Sequence, residues 1–188
     1  MGPMSNPDID ERIESRKRVF DGLILHIDHA EVTLPNGSRA MREIANHIGA
    51  SAVLPVDADG NIALVRQYRT PVGRSLLEIP AGKLDSADED RLLAAKRELK
   101  EETGLEAERW VHLGDIATTP GFSSEIISLY LAAELSQGDT CPDDDEFLNV
   151  VKLPYAEAAL MAERGEICDA KTICALLMAK AYLRGGNA

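Results

Sequence analysis

The most informative segment of the chain is Arg97-Glu98-Leu99-Lys100-Glu101-Glu102-Thr103-Gly104, which places three glutamates within five positions. Residues at i, i+3 and i+4 lie on one face of an α-helix, so the carboxylates of Glu98, Glu101 and Glu102 are expected side by side. Three carboxylates this close repel one another, and the neighbouring Arg97 and Lys100 offset part of that repulsion. Apolar and small residues at helical spacing predict a helix from about Asp88 to Thr103, which Gly104 ends.

The glutamate triplet has two interpretations. A solvated acidic helix face is common in an acidic protein and needs no function. Alternatively, the carboxylates bind a hard divalent cation such as Mg²⁺ or Mn²⁺, which takes carboxylate oxygens, keeps several waters and bridges to substrate phosphates. The triplet alone leaves both interpretations open.

The segment upstream of the helix favours the cation. Glu78-Ile79-Pro80-Ala81-Gly82-Lys83 is the end of a predicted strand entering a glycine loop. Glycine allows the backbone to approach a ligand closely and leaves a carbonyl available for a metal. The loop and the helix together therefore resemble a ligand site.

The remaining pattern predicts strands at the beginning and helices at the end, with turns at Pro35-Asn36-Gly37 and at 57–61. This mixture predicts an α/β fold of the α/β/α sandwich type with a mixed sheet, preceded by a small N-terminal antiparallel β-sheet. Strands are expected at 19–27, 39–47, 50–56, 62–68, 75–79, 110–117, 126–133 and 147–153, and the later helices at 155–164 and 170–183. Residues 1–49 would form the N-terminal sheet and residues 50–188 the main domain. Because so small a sheet buries little by itself, it is expected to be a dimerisation element.

Composition excludes several classes of function. The formal net charge of −12 argues against a nucleic-acid partner, which requires a basic face. No run of residues approaches the roughly 20 apolar positions of a membrane helix, so no membrane partner is expected. Three cysteines without metal-ligand spacing and a charged beginning predict reduced thiols in a cytoplasmic protein.

The run from Gly82 to Leu105 resembles the Nudix box, G-x5-E-x7-R-E-U-x-E-E-x-G-U, in which U is a bulky aliphatic residue. The second half matches position for position, from Arg97 onward. The first half departs from the pattern, because Asp88 stands where the spacing from Gly82 requires Glu, whereas Glu89 has the correct spacing to Arg97. We interpret this as a one-residue insertion, which leaves open whether Asp88 or Glu89 takes the first acidic role.

Further segments are similar to the ADP-ribose pyrophosphatase branch of that family. They are Leu64–Arg69, Leu77–Gly82, Thr119–Glu125, Asp143–Phe147 and Gly165–Leu177, the last including Asp169-Ala170-Lys171-Thr172. The resemblance implies Mg²⁺-dependent hydrolysis of the pyrophosphate bond of ADP-ribose to AMP and ribose 5-phosphate. It also implies a homodimer that shares the N-terminal sheet. Two alternatives remain: a hydrolase of another nucleoside diphosphate sugar, such as an ADP-sugar or GDP-mannose, and an inactive ADP-ribose-binding regulator.

The resemblance assigns roles to individual residues. The carbonyl of Ala81 and the carboxylates of Glu98 and Glu102 would bind Mg²⁺, for which Mn²⁺ is a possible substitute, and Glu101 would be a further ligand or a near neighbour. Arg97 would hold the glutamates in place. Glu146, with Asp144 or Asp145 as substitutes, would be the general base.

Five residues are candidate substrate contacts, each with a surface ion pair as the plain alternative: Arg42, Arg66, Arg69, Glu78 and Glu125. Arg69 suits paired phosphate oxygens, because a guanidinium presents a planar fork of donors. Glu78 would accept hydrogen bonds from ribose hydroxyls or support the metal ligands, and Glu125 would lie near the terminal ribose or the metal. Arg42 would reach a site across the dimer.

Overall fold

The computed structural model describes residues 8–138 and 148–184 and divides into two compact units. Among the described residues, the first comprises 8–47 with 119–125, and the second comprises 48–118, 126–138 and 148–184. The strands are β1 (Arg12–Asp21), β2 (His26–Thr33), β3 (Arg39–Asn46), β4 (Ala50–Pro55), β5 (Asn61–Arg69), β6 (Arg74–Glu78), β7 (Ala81–Lys83), β8 (Leu105–Ala117), β9 (Ile126–Gln137) and β10 (Leu148–Pro154). The helices are α1 (Arg91–Thr103), α2 (Tyr155–Glu163) and α3 (Ala170–Arg184).

The first unit is a three-stranded antiparallel sheet in the order β1-β2-β3. The segment 119–125 joins it through backbone hydrogen bonds, in which Ala45 N donates to Phe122 O at 2.7 Å and Ser124 N donates to Ala45 O at 3.0 Å. Every residue of β1 is exposed, whereas Ala30 and Val32 on β2 are buried. The sequence pattern gave no indication that 119–125 belongs with these strands.

The second unit contains two sheets. One has the order β7-β4-β9-β8, with β4 and β9 parallel and the other pairs antiparallel, and the second is antiparallel in the order β10-β5-β6. Strand β4 is buried along its whole length because both of its faces are covered. Val53 packs against Ala95 and Leu99 of α1, whereas Leu54 belongs to the core that β5, β9 and α3 complete. The predicted sandwich with a mixed sheet and a small N-terminal antiparallel sheet is confirmed.

Several predicted boundaries were wrong. The apolar run 19–27 is two strands, because Gly22 N donates to Leu25 O at 2.8 Å and closes a turn in which Leu23 is 98% exposed. The predicted glycine loop contains strand β7, which pairs with β4. Strand β8 begins at Leu105, directly after α1, and not near Trp110. Within the described residues, no helix is long and apolar enough to cross a membrane.

Candidate active site

Helix α1 has well-defined ends. Asp90 is its N-cap, with side-chain hydrogen bonds from Leu92 N at 2.9 Å and Leu93 N at 3.0 Å, so the helix begins three residues later than the pattern predicted. Gly104 ends the helix in the left-handed conformation with φ of 68°, as expected, and its N–H donates to Lys100 O. These caps define the ends of the helix that carries the glutamate segment.

The three glutamates of α1 occupy different environments. Glu98 and Glu102, one helical turn apart, are buried with 8% and 3% exposure, whereas the side chain of Glu101 is 35% exposed. Both buried carboxylates face Ala81 and Gly82, the first two residues of β7, which follow the bend at Pro80 and are referred to as the 81–82 turn. Ala81 N donates to Glu102 Oε2 at 3.2 Å, and a Cβ built on Gly82 would lie 2.1 Å from Glu98 Oε1. The structure therefore brings together Ala81, Glu98 and Glu102, with Glu101 at the edge.

Arg97 connects the acidic face of α1 to the loop before it. Its Nη1 donates to Glu98 Oε1 at 2.6 Å and to Glu101 Oε2 at 3.3 Å, and its Nη2 donates to Lys83 O at 3.3 Å. Burial would lower the pKa of Arg97, but the negative charges and hydrogen bond of its carboxylate neighbours raise it. Arg97 thus remains charged and restrains the orientation of two of the three glutamates.

Glu89, and not Asp88, contacts this arginine. The Glu89 side chain is 17% exposed and accepts a hydrogen bond from Arg97 Nη2 at 3.4 Å, and its other oxygen accepts one from Asp85 N at 2.6 Å. Asp88 is exposed. The extra residue in the loop therefore lies before Glu89, and the spacing from Glu89 to Arg97 is the one that matters structurally.

The residues at this turn suit a hydrated divalent cation. Within residues 8–138 and 148–184, no three side chains of His, Cys, Asp or Glu are close enough to hold a metal ion by themselves. The donors at the turn are two buried carboxylates and backbone carbonyls, all oxygen, and a hard cation such as Mg²⁺ uses one or two carboxylates and keeps waters for its other positions. Glu98 and Glu102 repel each other, and a dication would relieve that repulsion.

Arg69 and Glu78 bind each other next to this turn. Glu78 is 2% exposed, and its two oxygens accept hydrogen bonds from Arg69 Nε at 2.7 Å and Nη2 at 2.8 Å. This bidentate pair raises the pKa of Arg69, and the negative charges of Glu102 and Asp169 raise it further. The two residues are thus brought close to the carboxylates of α1, as part of one charged cluster.

Lys171 is the second cation on Glu78. Its ammonium contacts Glu78 Oε2 and Asp169 Oδ1, and its side chain is 10% exposed. Burial alone would raise the pKa of Glu78, but the hydrogen bonds and charges of Arg69 and Lys171 hold it below its usual range. No role was predicted for Lys171 from the sequence, although a lysine two positions after an aspartate at a helix start suggests a local ion pair.

The remaining predicted site residues fall into three groups. Arg66 is exposed on β5, opposite Asn149 of β10. Arg42 and Glu125 belong to the first unit, where Arg42 pairs with Glu11 and Glu125 lies 3.5 Å from His47 Nε2. The proposed base, Glu146, and its substitutes Asp144 and Asp145 lie outside the described residues.

The region of the chain that contains these residues matches a known protein family. The model of the NUDIX domain matches residues 45–176, which include β4, the 81–82 turn and all of α1. The chain belongs to the Nudix family. The family resemblance inferred from the glutamate segment is thereby confirmed, and Nudix hydrolases generally require a divalent metal ion.

Three named relatives are similar to this chain over most of their length. The chain is 40% identical over 169 residues to the methanol dehydrogenase activator of Bacillus methanolicus and 39% identical over 170 residues to the ADP-ribose pyrophosphatase of Bacillus subtilis (strain 168). Each match covers 89% of this chain and 91% of the relative. A GDP-mannose pyrophosphatase of Yersinia enterocolitica is 34% identical over 144 residues, or 71% of this chain and 74% of that protein.

A solved structure shows the same Nudix fold. The crystal structure of an ADP compounds hydrolase superposes with a TM-score of 0.85 at 24% identity, covering 98% of this chain and 100% of that chain. At this identity the match establishes the architecture only.

Proposed function

We propose that this Nudix protein hydrolyses the pyrophosphate bond of ADP-ribose, releasing AMP and ribose 5-phosphate, and that it uses Mg²⁺, with Mn²⁺ as a substitute. The observation that carries the proposal is the pair of buried carboxylates, Glu98 and Glu102, facing the backbone of Ala81 and Gly82. The ADP-ribose pyrophosphatase of Bacillus subtilis, similar over 89% of this chain, supports the substrate.

The carboxylates of Glu98 and Glu102 and the carbonyl of Ala81 would hold the cation, with Glu101 as a further ligand or neighbour. When bound, the cation supplies positive charge to the phosphates and lowers the pKa of bound water. Arg97 keeps Glu98 and Glu101 oriented through its hydrogen bonds, which spares the site the cost of ordering them when substrate arrives. An acidic chain can in this way bind an anionic substrate.

Candidate substrate contacts divide into two groups. Arg69 and Glu78 already satisfy each other, so Arg69 would meet a phosphate with donors other than the Nε and Nη2 that bind Glu78. We propose Arg66, Arg42 and Glu125 as further contacts, with Arg42 acting across a dimer. Glu146 would accept the proton of the attacking water, because the acidic segment 143–146 resembles the base-bearing segment of this branch.

We further propose a homodimer that forms through the N-terminal unit, residues 1–49, beside a Nudix domain of residues 50–188, in the cytoplasm. In support, β1 pairs only with β2 among the described strands and is exposed throughout. Phe20 and Ile24 are 55% and 71% exposed beside the exposed Leu23 and Leu25, and several exposed apolar side chains close together are typical of an interaction surface. Light scattering should give twice the chain mass, and Phe20→Glu with Ile24→Glu should give monomers.

The alternative substrate is another nucleoside diphosphate sugar, which the GDP-mannose pyrophosphatase of Yersinia enterocolitica supports. ADP-ribose, ADP-glucose and GDP-mannose should be compared in the presence of Mg²⁺, with the products identified by mass spectrometry. AMP and ribose 5-phosphate from ADP-ribose, at the highest kcat/KM of the panel, are the expected result. A preference for GDP-mannose would select the alternative, and turnover of none would favour an inactive ADP-ribose-binding regulator.

Glu102→Gln tests the role of the buried carboxylates. The change keeps the size of the side chain but removes the charge, so turnover should fall at least about 100-fold while the protein remains folded. Glu106→Gln is the matched control, because Glu106 is about half exposed and pairs with Lys100. Near-normal activity of Glu102→Gln would contradict the proposal.

A further inference from the structure

A closed ring of polar contacts joins the end of β6 to the start of α3. Lys171 Nζ donates to Glu78 Oε2 and to Asp169 Oδ1. The other oxygen of Asp169 accepts from Thr172 N at 3.0 Å and from Thr172 Oγ1 at 2.6 Å. Thr172 Oγ1 in turn accepts from Ile79 N at 2.9 Å, which returns the ring to the residue after Glu78.

This ring lies directly before the turn that faces the glutamates of α1. Glu78 and Ile79 are followed by Pro80, whose carbonyl accepts from Val53 N at 2.9 Å, and then by Ala81, whose N–H donates to Glu102. Glu78, the last residue of β6, and Ile79 are thus anchored to the start of α3, and the next two residues are anchored to β4 and to α1. A shift at Glu78 would move the backbone that contacts Glu102 and Glu98.

We propose that Lys171 is a positioning residue for the carboxylate site, holding residues 78–79 against α3 so that the 81–82 turn stays in register with Glu98 and Glu102. The inference rests on the proposed function for the identity of the site. Lys171 itself touches no reacting atom in this scheme and acts through Glu78.

Two features distinguish Lys171 from an ordinary ion-pair partner. Its ammonium is buried between two carboxylates that belong to different elements, Glu78 at the end of β6 and Asp169 at the start of α3. The charges in the cluster balance, with Arg69 and Lys171 opposing Glu78 and Asp169. Loss of Lys171 would therefore have two effects, an unbalanced buried charge and the loss of the link, and the experiment must separate them.

The experiment is a titration of the purified full-length protein with Mn²⁺ alone, followed by electron paramagnetic resonance, with thermal unfolding measured in parallel. Lys171→Met should weaken Mn²⁺ binding about 10-fold, in line with residues that orient metal ligands without touching the metal. Lys152→Met is the matched control, because Lys152 also pairs with an aspartate, Asp57, but on the surface. It should leave the Mn²⁺ affinity unchanged.

The double variant Asp169→Asn with Lys171→Met separates charge from position. It removes one negative and one positive charge, so the thermal stability should recover relative to Lys171→Met, whereas the Mn²⁺ affinity should stay about 10-fold weak. This variant also serves if Lys171→Met fails to fold. Wild-type Mn²⁺ affinity in the double variant, or in folded Lys171→Met, would overturn the inference.

The test of Lys171 and the test of the proposed function can fail independently. If the wild-type protein binds Mn²⁺ and Glu102→Gln does not, but ADP-ribose is not hydrolysed, the substrate assignment fails, and the role of Lys171 is decided by the Mn²⁺ affinities of its variants alone. If the wild-type protein binds no Mn²⁺ at this site, the role of Lys171 is overturned with the metal site itself.

Discussion

The α-carbon of Gly82 lies so close to the carboxylate of Glu98 that a Cβ added there would stand 2.1 Å from Oε1 and 2.2 Å from Cδ. Real Cβ atoms do not come this close to other heavy atoms, so any side chain at residue 82 would displace the Glu98 carboxylate. The glycine is needed here for close approach and not for an unusual backbone conformation, since Gly82 is not among the glycines with positive φ.

Replacing Gly82 by alanine should therefore weaken Mn²⁺ binding and lower kcat by at least about 10-fold, because Glu98 must leave its position. Circular dichroism and metal titration would measure this. Gly60→Ala is the control, since Gly60 has φ of 78° and open space around it. That change should cost about 1 kcal/mol of stability without altering Mn²⁺ affinity, and normal metal binding by Gly82→Ala would show that Glu98 is not a ligand.

Arg97→Lys should lower kcat/KM about 10-fold or more. A lysine keeps the charge but cannot make the separate hydrogen bonds that the two amino groups of Arg97 form with Glu98, Glu101 and Lys83 O. Steady-state kinetics at several Mg²⁺ concentrations would measure the loss. Arg164→Lys, on the surface beside Glu166, is the control and should behave as wild type. Equal kcat/KM for Arg97→Lys and Arg164→Lys would mean that a positive charge at position 97 is enough for activity.

Glu146→Gln should slow hydrolysis about 100-fold or more and leave the Mn²⁺ affinity unchanged, because a general base contributes to the chemical step and not to metal binding. Single-turnover kinetics report that step directly. Asp144→Gln and Asp145→Gln provide the comparison within the same acidic segment. If the variant at Asp144 or Asp145 is slow and Glu146→Gln is not, the general base is the aspartate whose replacement slows hydrolysis.

Asp57 should make the stability of the protein depend on pH below about 4. Burial would raise its pKa, but Lys152 and Asn61 lower it from 3.8 to about 2. A lowered pKa in the folded state means that the stabilisation is complete above pH 4 and is lost as the pH falls through 2. Urea unfolding should show Asp57→Asn about 1 kcal/mol less stable than wild type at pH 5, and the difference should shrink toward pH 2.

Asp59→Asn is the control for this pH dependence. Asp59 lies in the same turn, and its hydrogen bond to Asp57 comes from the backbone N–H, which the substitution keeps. The stability of Asp59→Asn should depend on pH as that of the wild-type protein does. A constant difference between Asp57→Asn and wild type from pH 5 to pH 2 would show that the ion pair does not stabilise the hairpin.

Local sequence determined much of the architecture. The 57–61 hairpin, the end of α1 at Gly104 and the helical spacing of the three glutamates depend on residues within a few positions of one another. The prediction of a single strand at 19–27 was wrong, because hydrophobicity alone does not distinguish a strand from an exposed turn that begins at a glycine. The spacing to Arg97 suited Glu89 but left Asp88 open as the first acidic residue, and only the folded loop showed that Glu89 contacts Arg97.

By itself, then, the sequence determined which chemical groups α1 and the 81–82 turn present and how they are spaced along each element. The tertiary structure decided that Glu98 and Glu102 are buried while Glu101 is at the edge, and that Lys171 meets Glu78 across 93 positions of chain. Helical periodicity specifies which residues share a face, but what covers that face depends on packing between elements distant in sequence, and no local pattern encodes those distances.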